Sequence, residues 1–207
     1  MRIIFWIFFF LAITFTNFAA ASDKPKVAVM DLDEFNGAFT SELNTDNVGA
    51  MASAYIAAKL ADDKRFTIIS RKIFKEQLDE KNLQISGLIT PKKAAEIAKI
   101  LNIDYLIYGN VDNVDGIEKV FDVKLNGGKF HELKAYLIVR MMDVKTGQII
   151  AVAKGEGISK STEFKGGKDA LTIKIGTTEI PQICVHNAMK KAAENVAYKL
   201  MERFPKS

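Results

Sequence analysis

The chain has 207 residues, one cysteine and two histidines, and its 29 Lys and Arg against 25 Asp and Glu leave a formal net charge of +4. A lone cysteine excludes an intramolecular disulfide, and two histidines without a paired-ligand motif argue against a zinc site. The basic residues alternate with acidic ones along the whole sequence, as on an ordinary solvated surface, so no nucleic-acid stripe is expected.

The amino terminus reads as an export signal. Met1-Arg2 is a minimal positive region, Ile3 to Phe15 is almost wholly apolar, and Ala19-Ala20-Ala21 offers a small-residue cleavage site before Ser22. The rival reading is an uncleaved anchor, for which the run is short beside the ~20 apolar residues of a spanning helix. The expected organisation is a signal peptide over 1–21 and one domain over 22–207, with a net charge of +3 once Arg2 has left. No cysteine follows the apolar run, so no lipoprotein anchor is expected. No second long apolar segment occurs, so any membrane insertion of the mature chain must use β-structure.

Lys26 to Leu32 is a short apolar run after Pro25 and reads as the first strand. Asp33 to Asn47 is polar and long for a connection, which suggests a use beyond connecting, and Asp46 or Asn47 suits a helix cap. Val48, Met51, Ala52, Tyr55, Ile56 and Leu60 recur at helical spacing over Val48–Ala61. Phe66 to Ser70 is a second strand, and Ser70 caps a helix over Arg71–Lys81. Thr90-Pro91 opens another helix, and Ile103 to Val111 is a third strand.

From there the pattern changes to a period of two. Ile117 to Leu125 leads into Asn126-Gly127-Gly128, a hairpin signal, and then a strand in which Leu133, Ala135, Leu137, Val139 and Met141 share one face. Asp143 to Gly147 is a tight turn, and the chain sets out again from Gln148 toward Phe164. Gly166-Gly167 reads as a second hairpin turn, with Ala170 to Ile175 as its return arm, before a last amphipathic helix over Pro181–Phe204. The fold class expected is α/β: a single compact domain with a mixed β-sheet flanked by helices, with two extended β-hairpins.

Chemistry is sparse. Gly127-Gly128-Lys129 and Gly166-Gly167-Lys168 lack the longer P-loop frame and read as turns. Cys184 and His186 are two apart on a helix and face different ways, and His131 at a strand start reads as a surface or rim residue. Glu76, Asp79 and Glu80 read as a solvated helix face, and no nucleophile elbow occurs. No catalytic residue, cofactor or metal is expected. Each hairpin arm is long enough for a tilted transmembrane strand, so two such hairpins could supply four strands to a barrel shared by many copies. Lys119, Glu156, Lys160 and Glu163 interrupt any lipid-facing band, and the competing reading is a domain whose hairpins make oligomer contacts.

Four segments resemble a known family in order and spacing: Val27-Ala28-Val29-Met30-Asp31, Phe66 to Arg71, Ala95 to Gly109, and Val139 to Ile149. They look like the curli production assembly/transport component family over about Lys26 to Phe204. The resemblance implies a fold related to the N-terminal domain of the Tol-system β-propeller protein and to penicillin-binding-protein activator lipoproteins. It also implies a homo-oligomer at the outer membrane that passes secreted fibre-subunit polypeptides, with a pore-narrowing loop between the first strand and first helix. Onto that loop fall Phe39, Asn44 and Asn47. The family's curli members are typically lipoproteins, a feature without a counterpart here. The functional expectation is an exported, non-catalytic subunit of an oligomeric curli-type secretion or assembly channel. The alternative is a soluble periplasmic adaptor or activator of the same fold that binds an envelope enzyme or complex.

Overall fold

A computed structural model describes residues 24–34, 48–80, 91–121, 127–164, 172–175 and 178–204. The expected signal peptide, the loop residues 35–47, Asn126 and the Gly166-Gly167 turn lie outside them. The strands are β1 (Lys26–Val29), β2 (Asp33–Glu34), β3 (Thr67–Ile69), β4 (Tyr105–Phe121), β5 (Gly128–Asp143), β6 (Ile149–Phe164), β7 (Thr172–Ile175) and β8 (Thr178–Pro181). The helices are α1 (Val48–Ala61), α2 (Arg71–Glu80), α3 (Pro91–Ile100) and α4 (Gln182–Arg203).

The main sheet runs β3-β1-β4-β5-β6, with β2 added beside β4. β1 is parallel to both neighbours, in register Val27↔Ile68 and Ala28↔Leu106, while β4, β5 and β6 form an antiparallel meander. This is the mixed sheet flanked by helices that the element order implies. β1 is apolar without alternation because both its faces are covered. Val27 and Val29 join a core with α1 and α4, and Ala28 and Met30 join a second core with Phe74 and Leu78 of α2 and Ile97 and Ala98 of α3.

Local signals carry the joints. Ser70 Oγ accepts from the Ile73 amide at 3.3 Å, closing the start of α2. Asn102, at φ 52, ends α3, and the Ile103 amide reaches back to the Ala98 carbonyl at 3.0 Å in a Schellman-type closure. The β5–β6 turn needs Gly147 at φ 72, with the Thr146 amide donating to Asp143 Oδ1 at 2.8 Å.

Two joints differ from the sequence reading. Ile103–Val111 and Ile117–Leu125 were expected to be separate strands, yet β4 is continuous for 17 residues. The register passes from Val111↔Leu137 to Asn113↔Tyr136, so Asp112 is the extra residue of a bulge. That bulge lets the polar stretch stay in the ladder. The return arm expected for β6 also pairs elsewhere, because β7 runs antiparallel to β8, with Ile173 opposite Ile180. Ile180 is fully buried, which ties this small hairpin to the core just before α4 begins.

Candidate functional site

The loop residues Phe39, Asn44 and Asn47 lie outside the described residues, but both ends of their segment are defined. Glu34 is paired with Val111, and the chain resumes at Val48. Ser53 of α1 ties the two ends together: its Oγ accepts from the Leu32 amide at 2.9 Å and donates to the Gly49 carbonyl at 2.8 Å. All of this is buried, so the loop leaves and rejoins the domain at a fixed mouth. Asp33 stands at that mouth, its carboxyl pushed above the ordinary range by burial.

Val111 also marks a change in the sheet. Up to that residue β4 has β1 and then β2 on one side and β5 on the other. Beyond it, among the described residues, β4 keeps β5 alone, and the sheet narrows to the distal parts of β4, β5 and β6. Register assigns Asp115, Ile117 and Lys119, Glu132, Lys134 and Tyr136, and Glu156, Ile158 and Lys160 to one face. Glu118, His131, Leu133, Ala135, Gly157, Ser159 and Ser161 share the other.

The first of these faces is open and laced with charge. Glu132 lies 3.1 Å from Lys160 and 3.7 Å from Lys134, and Tyr136 Oη donates to Glu156 at 3.4 Å. The Lys160 hydrogen bond holds the Glu132 carboxyl below the usual range, against the opposing desolvation. Ion pairs of this kind suit water, where each contributes little to stability but keeps the face hydrated.

The second face is covered by α4. Gly155 and Gly157 permit the approach, because a Cβ on either would run into the backbone carbonyl of Ala192 or Ala188. At its far end this face turns polar. His131 is buried at 1 % exposure, which corrects its reading as a surface or rim residue. It continues the alternation of Leu133 and Ala135, and that parity, extended two residues back, would have found it. Glu118 Oε2 stands 3.8 Å from His131 Nδ1 and Glu163 Oε2 3.5 Å from Nε2. Neither ring nitrogen makes a hydrogen bond, and Glu163 Oε1 is likewise buried without one. The two carboxylates address opposite sides of the ring, so they do not converge on one ion. Cys184 is buried nearby, and burial pushes its thiol up despite the Ser159 and Ser161 hydroxyls, which leaves it protonated and a poor nucleophile.

The model of one family, curli production assembly/transport component CsgG, matches residues 11–204. The chain belongs to that family. Membership makes it an envelope-associated component of the assembly and transport class, a class of non-enzymatic proteins. No curated protein matches it. Among solved structures, the LpoB C-terminal domain from Escherichia coli is similar at 22 % identity and TM-score 0.44, over 64 % of this chain and 82 % of that one. A PelC dodecamer from Paraburkholderia phytofirmans is similar at 15 % identity and TM-score 0.39, over 83 % of this chain and 85 % of that one. TolB from Acinetobacter baumannii is similar at 16 % identity and TM-score 0.32, over 64 % of this chain and 23 % of that one.

Proposed function

We propose that this member of the CsgG family is an exported, non-catalytic subunit of a homo-oligomeric curli-type secretion or assembly channel at the outer membrane, with its distal strands exposed to water. The observation that supports this best is the open distal face, where Glu132, Lys134, Tyr136, Glu156 and Lys160 form ion pairs and a hydrogen bond on a three-stranded extension. Such a face can border an aqueous passage or a neighbouring subunit. A lysine facing lipid at the bilayer midplane would cost about 2–4 kcal/mol, and the opposite face is covered by α4. On the open face, charged residues interrupt Ile117, Phe130 and Ile158, and the apolar run of Leu133, Ala135 and Leu137 lies on the covered face.

Phe39, Asn44 and Asn47 are assigned to the passage in this reading. Their loop springs from the mouth held by Ser53, beside the base of the distal strands. Passing an unfolded fibre subunit requires confinement and water, so no cofactor enters. A second reading, a soluble periplasmic adaptor, draws support from the cover of α4 over one sheet face, which needs no neighbouring copy.

Fractionation of the native envelope, followed by sizing of the extracted protein, separates the two. Recovery with the outer membrane as a large homo-oligomer is the expected result. Recovery from the soluble periplasmic fraction as a monomer or dimer would overturn the channel and leave the adaptor.

A further inference from the structure

Among the described residues β6 ends the sheet, and 16 residues are a long edge to leave unpaired. Three of its outward carbonyls, between Val152 and Ile158, are already bonded. Lys191 Nζ donates to the Ile158 carbonyl at 2.8 Å, Lys199 Nζ donates to the Lys154 carbonyl at 2.7 Å, and Arg203 donates to the Val152 carbonyl. All three side chains come from one helix, α4, and all three acceptors lie on the side of β6 turned away from β5.

The spacing explains how one helix serves one edge. Twelve helical residues from 191 to 203 advance about 18 Å at ~1.5 Å each. Six strand residues from 158 back to 152 cover about 20 Å at ~3.3 Å each. Four residues of α4 therefore match two of β6, in antiparallel step, and Gly155 and Gly157 let the helix axis come close enough for the side chains to reach. The same step sets Asn195 opposite Glu156, the position between the Lys191 and Lys199 rungs.

We propose that Lys191, Lys199 and Arg203 form a latch that closes the β6 edge against antiparallel pairing with β6 of a second copy of this chain. A strand adding to an edge needs its outward carbonyls as well as its outward amides. Each charged side chain occupies one such acceptor with a charge-assisted bond and holds a hydrated cation where the incoming backbone would lie. The excluded occupant is another copy because two identical edges meeting antiparallel are self-complementary about a two-fold axis. Every copy carries the same edge, so the latch holds whether or not the proposed channel is correct.

The test compares two triple variants of the whole mature chain by sedimentation velocity at rising concentration. Lys191→Met, Lys199→Met and Arg203→Met together keep the apolar stems and remove the donors. Lys191→Arg, Lys199→Arg and Arg203→Lys together keep them. The methionine variant is expected to gain an association step that doubles the sedimenting mass, a step lacking in the wild type and in the exchanged variant. Adding Glu156→Pro should abolish the step, since proline removes an outward amide without breaking the ladder to β5. A folded methionine variant that sediments as the wild type would overturn the latch, and so would an association that survives Glu156→Pro. Should the triple variant fail to fold, Lys199→Met alone should associate more weakly, and Asn195→Lys in that background should suppress it. Identical sedimentation of the wild type and both of these variants would sink the proposal.

Discussion

The two halves of β4 belong to one strand and are built to different ends. From Tyr105 to Val111 the strand has partners on both sides and helices over both faces, and Leu106 and Ile107 are fully buried. From Asp112 onward it has one described partner, and Ile117 on the open face is 44 % exposed. The first half obtains its stability from apolar burial. The second obtains its shape from hydrogen bonding to β5 and leaves a charged face to water. The division falls at the bulge, the point where the loop carrying Phe39, Asn44 and Asn47 leaves the sheet.

Matched substitutions should expose that division. Leu106→Ala is expected to cost about 2–5 kcal/mol, because it empties a fully buried site in the second core. Ile117→Ala, on the same strand, should stay within about 0.5 kcal/mol. Urea denaturation measures both, and similar losses at the two positions would dissolve the distinction. Gly157→Ala should come next, at about 1–3 kcal/mol, since its methyl would drive α4 off the distal strands. Chemical unfolding would show it, together with loosened packing around Cys184.

Smaller effects sharpen the picture at the edges. Ser53→Ala should cost about 1–2 kcal/mol by leaving the Leu32 amide buried without an acceptor. Proteolysis within residues 35–47 should then quicken, because the mouth of that loop is no longer tied. The smallest effect concerns acid. Arg65 hydrogen-bonds Asp63 and holds its carboxyl below the usual range. As pH falls below about 4, the unfolded chain therefore takes up a proton before the folded one does, and stability declines. Asp63→Asn should be less stable at neutral pH and should lose that part of the acid dependence in a series of thermal melts. An unchanged acid slope would show that the pair does not couple to folding. The pair matters structurally because Arg65 also donates to the Met201 carbonyl, close to where Phe204 packs edge-on against Phe66 and Tyr105.

Much of the frame was legible in the residues themselves. Val48–Ala61 forms the helix that its spacing implies, Ser70 caps where a serine should, and the Asp143–Gly147 turn uses the one glycine that a positive φ demands. The alternation from Leu133 to Met141 identified the buried face of β5. His131 escaped because its place at a strand end says less than its parity. Asp112 to Gly116 escaped because polar residues in a strand look like a break when the solvated face is unknown. The tie that Ser53 makes across the ends of the candidate loop left no such mark on the sequence.

What the sequence determined by itself was local: the period of each element, its caps, its turns, and the order that makes a mixed sheet flanked by helices. Family membership follows from the same residues. Tertiary structure alone decided what covers each edge and face. Lys191, Lys199 and Arg203 became partners of strand carbonyls only once two glycines had let α4 approach β6. The physical reason is range. Propensity and capping act over a few residues and leave a mark on the sequence, while an acceptor tens of residues away is met only after the chain has packed.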